Sequence, residues 1–123
     1  QLLLMNDARY PWLILVPWRC DVTEPFELSE ADHAQLWWES MRLGEAMKAH
    51  FAADKINIAA LGNQVAQLHV HHIARFYADD AWPGPVWGVG NAVSYSDAAL
   101  KALMNELRSL LQQPLGLTGA THE

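Results

Sequence analysis

A chain of 123 residues that is 51% hydrophobic and 18% charged fits one globular domain, expected over residues 1–123, and excludes a disordered protein. Its 14 acidic and 8 basic side chains give a formal net charge of −6, which disfavours polynucleotide binding, because proteins that bind polynucleotides carry a basic patch. A small phosphorylated ligand stays compatible with this charge, since backbone amides and a few polar groups can hold one phosphate.

Two short apolar runs near the N-terminus predict a β-hairpin. The first run, residues 2–5, stops at the turn-forming pair Asn6-Asp7, and the second, residues 12–16, is bracketed by two prolines. The length and β-branched content of the second run favour a buried strand over a helix. Because the sequence opens in strand-like material, we also expect a native N-terminal segment before residue 1.

A long amphipathic helix is predicted after this hairpin, with Ser29 as its N-cap. Apolar side chains then recur at helical spacing, with two further residues widening the stripe: Leu36, Leu43, Met47 and Phe51, then Trp37 and Met41. Trp38 lies off this stripe, and it fits either a half-covered surface aromatic or a contact with a second subunit.

The remainder of the chain predicts two more strands and a second helix. Residues 56–61 and 67–76 have strand character, and prolines and glycines exclude a helix over residues 82–88. Leucines and a methionine between residues 100 and 111 form a helical stripe that Ser96 caps and Pro114 closes. This order predicts an α+β domain with an antiparallel sheet of about five strands and two main helices on one face.

The fourth predicted strand carries His69, His71 and His72, three of the six histidines in the chain. Alternation along a strand places a polar set on one face, namely Gln67, His69, His71 and Ile73. This face is expected to meet a ligand or solvent, and the mainly apolar opposite face is expected to meet the helices. Since His72 interrupts the apolar face, we expect it to be partly covered or near a strand end.

Two imidazoles on one strand face, about 7 Å apart along the backbone, leave three interpretations open. The histidines are inert surface residues, or they transfer phosphate, one as nucleophile while the other positions or protonates the leaving group. The third interpretation is a metal site, for which His69 and His71 supply two ligands and a residue such as His33 or His50 a third.

Residues 67–75, Gln-Leu-His-Val-His-His-Ile-Ala-Arg, resemble the motif of the histidine triad (HIT) superfamily, His-φ-His-φ-His-φ-φ with φ apolar. The resemblance covers most of the chain: paired strands that end in an apolar run plus proline, the Ser29 helix, and Asn57 and Gly62-Asn63-Gln64 before the histidines. It is closest to a bacterial branch with Gln-Leu-His-x-His and a Trp-Pro-Gly-Pro-Val-Trp-Gly loop, which stands here at residues 82–88.

The resemblance implies a HIT-like fold and a homodimer that binds nucleoside mono- or polyphosphates. It further implies hydrolysis or transfer at the α-phosphorus of a nucleoside phosphoramidate or dinucleoside polyphosphate, without a metal or other cofactor. His69 matches the nucleophile, His71 the third histidine near the leaving group, and Gln67 stands in place of the first. Asn63 and Gln64 match the phosphate-contacting segment.

Several residues depart from the family pattern or fit two roles. Gln67 cannot change charge near about pH 7, and Trp12 stands where many members have a histidine. The alternative function is therefore a nucleotide-binding module with little or no turnover. Asn57 is a further candidate nucleotide ligand, and Asp7 is a turn residue whose carboxylate also suits ribose hydroxyls.

Three other side chains have a binding and a structural interpretation. Arg75 fits bidentate phosphate pairing or a solvated or dimer-edge charge. Trp82 and Trp87 fit base stacking or packing of the proline-rich loop against the body of the protein.

Location is predicted from what the sequence lacks. Cys20 is the single cysteine, so no disulfide forms within the chain, which fits a reducing cytosol. The longest apolar run is too short to span a bilayer, and no signal peptide opens the sequence. We therefore expect a cytoplasmic protein without a membrane partner.

Overall fold

The computed structural model describes residues 1–112 and 120–122. Its elements in chain order are strands β1 (Leu2–Leu4) and β2 (Trp12–Leu15), a short 3-10 helix (Pro25–Glu27), helix α1 (Glu30–Phe51), strands β3 (Lys55–Ala59) and β4 (Val70–Arg75), helix α2 (Asp97–Leu111), and strand β5 (Ala120–His122). The five strands form one sheet in the order β3-β4-β2-β1-β5.

Four of these strands are antiparallel neighbours. The predicted hairpin is present, with Leu3 opposite Ile14, and β4 lies between β2 and β3, with His71 opposite Ile14. β5 adds to the edge at β1 in parallel. No short turn joins β1 to β5, so their pairing is free to be parallel. The predicted α+β class is confirmed, and the antiparallel sheet is correct for four strands.

Both helices cover the same face of the sheet, as predicted. Their buried side chains form one core with inward residues of the strands: Leu36, Leu43 and Met47 of α1, Met104, Leu107 and Leu111 of α2, and Leu2, Leu4, Leu13, Leu15, Val70 and Ala74 of the sheet. Burying each such side chain contributes about 1.5–3 kcal/mol. Through this core, one face of β4 packs against the helices and the other face is directed away from them.

The buried stripe of α1 differs from the predicted one. Trp37 and Met41 were expected to widen it, but they are 39% and 51% exposed. The small residues Ser40 and Gly44 are buried instead, because α1 comes close to the sheet there. A Cβ atom at Gly44 would lie 3.6 Å from Cγ2 of Ile56 in β3.

Both helices begin at the predicted serine caps. The Ser29 hydroxyl accepts from the backbone amide of Asp32 at 3.2 Å, and the Ser96 hydroxyl accepts from that of Ala99 at 3.1 Å. Such caps satisfy amides that have no partner within the helix. Pro114, predicted to close α2, lies outside the described residues. No helix within the described ranges is long and apolar enough to cross a membrane.

The sheet face opposite the helices carries a second, smaller core made of Tyr10, Trp12, Ile14, Ile73 and Val86. Val86 and the adjacent Trp87 belong to the segment of residues 77–95, which connects β4 to α2. Hydrogen bonds anchor this connecting segment near both of its ends.

The first anchor is a buried ion pair between Arg75 and Asp79. The guanidinium is 1% exposed; it donates to the Asp79 carboxylate at 2.8 and 3.0 Å and to the carbonyl of Gly84 at 2.8 Å. Burial opposes ionisation of Asp79, but the bonds from Arg75 and from backbone amides outweigh it and lower the pKa of Asp79 to about 2. Arg75 is thus neither solvated nor free to bind phosphate, which corrects both interpretations of it.

The second anchor ties the far end of the connecting segment to the β1–β2 turn. Asp7 is 2% exposed and accepts from the Arg9 guanidinium at 2.8 Å and from the backbone amide of Val93 at 3.3 Å. Arg9 also donates to the carbonyl of Val89 at 2.6 Å. The connecting segment therefore crosses the sheet between two fixed points, and Trp87 stands between them.

Candidate functional site

A cleft of about 640 Å³ lies on the sheet face opposite the helices. One wall is apolar and comes mainly from β1, β2 and the connecting segment: Leu3, Met5, Trp12, Ile14, Val16 and Trp87. The other end is polar and contains Asn63, Gln64, Gln67, His69 and His71. The cleft therefore joins a surface suited to an aromatic or apolar group to one suited to a polar group.

His69 lies at this polar end with one ring nitrogen fixed. Its Nδ1 is 2.7 Å from the carbonyl oxygen of Gln67. A carbonyl only accepts hydrogen bonds, so Nδ1 carries the proton, and in the neutral ring Nε2 keeps its lone pair. The backbone of the preceding turn thus prepares Nε2 of His69 to act as a nucleophile or base.

His71 has the opposite tautomer. The indole Nε1–H of Trp12 donates to Nδ1 of His71 at 3.0 Å, so the neutral ring carries its proton on Nε2. The ring is 5% exposed and packs against Trp87, with the two centroids 5.1 Å apart. Burial and the neighbouring His69 lower the pKa of His71 to about 4, against a smaller opposing effect of the Leu61 backbone. His71 is therefore neutral near about pH 7.

The His69 and His71 rings are edge-to-face neighbours, with centroids 4.9 Å apart. Both line the cleft together with Gln67, as alternation along a strand predicts. β4 begins only at Val70, so His69 and Gln67 precede the strand that was predicted to contain them. When both rings are neutral, the hydrogen bonds at their Nδ1 atoms leave a lone pair on Nε2 of His69 and a proton on Nε2 of His71.

His72 is fully buried, not partly covered as expected. Its Nδ1–H donates to the carbonyl of Val70 at 3.1 Å, and its Nε2 accepts from the hydroxyl of Ser40 in α1 at 2.7 Å. Burial lowers the pKa of His72 to about 4, although the Val70 bond opposes this shift. The expectation was wrong because His72, the one polar residue on this apolar face, lies beside Ser40 of α1, which satisfies its Nε2. His72 is a neutral, satisfied core residue.

The Gln67 side chain lines the cleft but points its amide elsewhere. Its Nε2 donates to the carbonyl of Arg19 at 3.2 Å and to that of Pro17 at 3.5 Å. Gln67 therefore joins the turn before β4 to the segment that follows β2, and its backbone carbonyl orients His69.

The other predicted ligands divide into two groups. Asn63 and Gln64 are exposed and line the cleft. Asn57 and Asp7 do not line it: the Asn57 side chain accepts from Arg75 at 2.7 Å, and Asp7 is paired with Arg9. Proximity to the histidine motif in sequence does not determine the direction of a side chain, and both of these residues support the anchors of the connecting segment instead.

The two tryptophans of the proline-rich loop also have different positions. Trp87 lines the cleft and packs on Trp12, with centroids 5.6 Å apart. Trp82 packs on Tyr77 at 4.9 Å and lies under the guanidinium of Arg75 at 5.6 Å. Of the two tryptophans in this loop, Trp87 is the one placed to contact a ligand in the cleft.

Comparison with known proteins identifies the family of this chain. A family model described as the HIT domain matches residues 1–78. This chain belongs to the HIT family. The HIT assignment is supported by a histidine triad protein from Marinobacter aquaeolei VT8, which is 46% identical and superimposes with a TM-score of 0.88 over 91% of this chain and 82% of that one.

Two further HIT structures are equally similar. One, from Sinorhizobium meliloti 1021, is 48% identical with a TM-score of 0.86, and the alignment covers 90% of this chain and 82% of that protein's chain. The other, from Bradyrhizobium japonicum, is 47% identical with a TM-score of 0.85, and the alignment covers 89% of this chain and 81% of that protein's chain. Comparison with curated proteins found no match. The predicted family and HIT-like fold are confirmed.

A third metal ligand for the two cleft histidines is not supplied by the residues proposed for it. His33 accepts from the indole of Trp37, and His50 pairs with Glu106; all four lie on the helices, across the sheet from the cleft. Among the residues that the structure describes, no three His, Cys, Asp or Glu side chains lie close enough together to hold a metal ion.

The sequence also did not reveal the contact between Trp12 and His71. In the antiparallel register Trp12 opposes Ile73, and His71 opposes Ile14, so Trp12 and His71 are diagonal neighbours on one face. Alternation along each strand can place Trp12 and His71 on the same face of the sheet. That they are neighbours follows only from the register between β2 and β4, which the sequence does not show.

Proposed function

We propose that this HIT protein binds a nucleoside mono- or polyphosphate in the cleft. We further propose that it cleaves the α-phosphorus bond of a nucleoside phosphoramidate or dinucleoside polyphosphate through a nucleotidyl-histidine intermediate. The observation that carries the proposal is that His69 lines the cleft with its Nδ1 2.7 Å from the Gln67 carbonyl, which leaves the lone pair of the neutral ring on Nε2. An imidazole in this state is a nucleophile at neutral pH.

The reaction uses the two histidines in separate roles. The Nε2 lone pair of His69 forms a bond to the α-phosphorus, and the bond to the leaving group breaks with its electron pair. Positive charge develops on the His69 ring, and the Gln67 carbonyl at Nδ1 stabilises it. Water then attacks the phosphorus, the phosphorus–nitrogen bond breaks, and its electron pair returns to His69. His71 contacts the leaving group in this scheme.

Binding follows from the two ends of the cleft. The amides of Asn63 and Gln64 suit the phosphate oxygens, and the apolar wall with Trp87 suits the base. None of the described residues that line the cleft is acidic, so the net negative charge of the chain is not concentrated where the phosphates would bind. Of the four predicted nucleotide ligands, Asn63 and Gln64 are kept in this proposal, and Asn57 and Asp7 are not, because their side chains are engaged by Arg75 and Arg9.

The proposal is tested by incubating wild type, His69→Ala and the control His33→Ala with adenosine 5′-phosphoramidate and diadenosine polyphosphates. His33 is an exposed residue of α1, so its variant should behave as wild type. AMP release, followed by chromatography, should disappear only in His69→Ala. Acid quenching should trap a nucleotidyl adduct on the wild-type protein, detectable by mass spectrometry. Unchanged AMP release by His69→Ala would refute the proposal.

A nucleotide-binding module with little turnover is the second candidate function. It is favoured by Gln67, which cannot change charge and donates its amide to the Arg19 carbonyl. Nucleotide binding by calorimetry, with no AMP release and no adduct from the wild type, would support this candidate. Gln67→His would then be the first variant to assay for recovered turnover.

Homodimerisation and a cytoplasmic location remain part of the proposal. Trp37, Trp38 and Met41 lie together on the exposed side of α1, at 39%, 45% and 51% exposure, which suits a helix that packs on a second copy. Light scattering should give twice the chain mass, and Trp38→Glu should reduce the dimer fraction. A monomer mass for the wild type would contradict the dimer.

A further inference from the structure

Trp12 is held firmly in the position from which it contacts His71. It is 5% exposed and packs between Tyr10 and Trp87, with centroids 6.4 and 5.6 Å away. Its Nε1 lies 3.0 Å from Nδ1 of His71. An indole nitrogen only donates, so this contact exists only while Nδ1 of His71 is unprotonated.

The other surroundings of His71 favour the neutral form of its ring. The titratable side chain that faces the ring is His69, whose charge would repel a second cation. No described cleft residue is a carboxylate that could stabilise an imidazolium. These surroundings favour a neutral His71 ring that donates through its Nε2–H.

We infer, resting on the proposed function, that Trp12 is a positioning residue that holds His71 as a neutral Nε2–H donor. We infer further that the cleft therefore favours leaving groups that depart as phosphate or polyphosphate anions over leaving groups that depart as amines. The substrate class within the proposed function is then a dinucleoside polyphosphate or a related nucleotidyl phosphate anhydride.

The preference follows from the balance of protons. When the bond between the α-phosphorus and a bridging oxygen breaks, the electron pair stays on an oxygen that is stable as a phosphate anion, and a hydrogen bond from His71 suffices. When a phosphorus–nitrogen bond breaks, the nitrogen must gain a proton to leave as an amine. A neutral imidazole N–H does not release its proton near about pH 7, so His71 cannot supply it. In both cases water later resolves the His69 adduct, and one proton passes to solvent.

The tautomer is tested without substrate. Long-range proton–nitrogen NMR of the 15N-labelled wild type should show His71 with Nδ1 unprotonated and Nε2 protonated at about pH 7. Trp12→Phe removes the donor and should give a mixture of tautomers. Trp87→Phe, which also removes an indole beside His71, should keep the wild-type pattern. A protonated Nδ1 in the wild type would overturn the inference, and so would an unchanged pattern in Trp12→Phe.

The leaving-group preference is tested with two substrates that differ only in the bridging atom, the para-nitrophenyl ester and the para-nitroanilide of AMP. The ester should have a higher kcat/KM by at least about 100-fold, the lower end of what proton transfer from a general acid contributes. Equal values would overturn the preference. Absence of turnover of either substrate, and of diadenosine polyphosphates, would refute the proposed function and the preference together, while NMR would still decide the role of Trp12.

Discussion

Lowering the pH should destabilise this HIT protein through His72. Its pKa is 6.5 in an unfolded chain and about 4 in the folded protein, chiefly because of burial. Between these two values the unfolded state binds a proton that the folded state does not bind. The free energy of unfolding is therefore fully retained above pH 6.5 and falls as the pH falls towards about 4.

The size of the effect follows from the two pKa values. At about 1.36 kcal/mol per pKa unit, the difference between 6.5 and about 4 corresponds to a loss of about 3 kcal/mol over this pH range. His71 titrates over the same range, so a variant is needed to isolate His72. The pKa of Asp79 falls from 3.8 to about 2, and its contribution is lost only below pH 3.8.

The assay is urea unfolding at several pH values between about 7 and about 4, on wild type and His72→Gln. Glutamine is neutral throughout, and its side-chain oxygen can accept from Ser40 in place of Nε2. The wild type should lose about 3 kcal/mol more than His72→Gln across this range. His33→Gln, an exposed control, should follow the wild type. Parallel pH curves for wild type and His72→Gln would refute the reasoning.

Three further changes probe the anchor, the helix and the cleft. Asp79→Asn should cost about 3–5 kcal/mol in urea unfolding, since it leaves the buried Arg75 charge without its partner; a loss no larger than that of the exposed control Asp80→Asn would contradict this. Gly44→Ala should raise the melting temperature, with up to about 1 kcal/mol gained, because the added Cβ meets Ile56 at an ordinary 3.6 Å; a lower melting temperature would mean that α1 has to move. Trp87→Ala should weaken nucleotide binding in calorimetry by about 1–3 kcal/mol, the usual contribution of an aromatic stacked on a base, whereas Phe26→Ala, at an exposed aromatic outside the cleft, should leave it unchanged; equal affinities for Trp87→Ala and wild type would exclude base stacking.

Both α-helices and four of the five strands were predictable because each depends on local pattern, whereas the short edge strand β5 (Ala120–His122) was not placed by the sequence. Alternation and turn residues define the hairpin, and serine caps begin both helices. The predicted alternation also agrees with the lining of the cleft by both His69 and His71, although β4 begins only at Val70. The stripe of α1 was predicted less well, since small residues such as Ser40 and Gly44 carry no apolar signal. Their burial depends on how close the helix comes to the sheet, which periodicity does not encode.

The side-chain partners within the site were not predictable in the same way. Trp12 and His71 are 59 residues apart in sequence, and Ser40 and His72 are 32 apart. Each contact depends on strand register or helix placement, not on local propensity. The same limit explains Asn57: it lies near the histidine motif in sequence, but on β3 its side chain meets Arg75.

The two anchors of residues 77–95 have a consequence for the energetics of ligand binding. Arg75 and Asp79 fix one end, Asp7 and Arg9 fix the other, and Trp87 stands between them on the cleft wall. A wall that is already ordered loses little conformational entropy when a ligand arrives, so more of the contact energy remains as affinity. Backbone amides of this long connection should then exchange hydrogen slowly before any nucleotide is added, and binding should slow them little further.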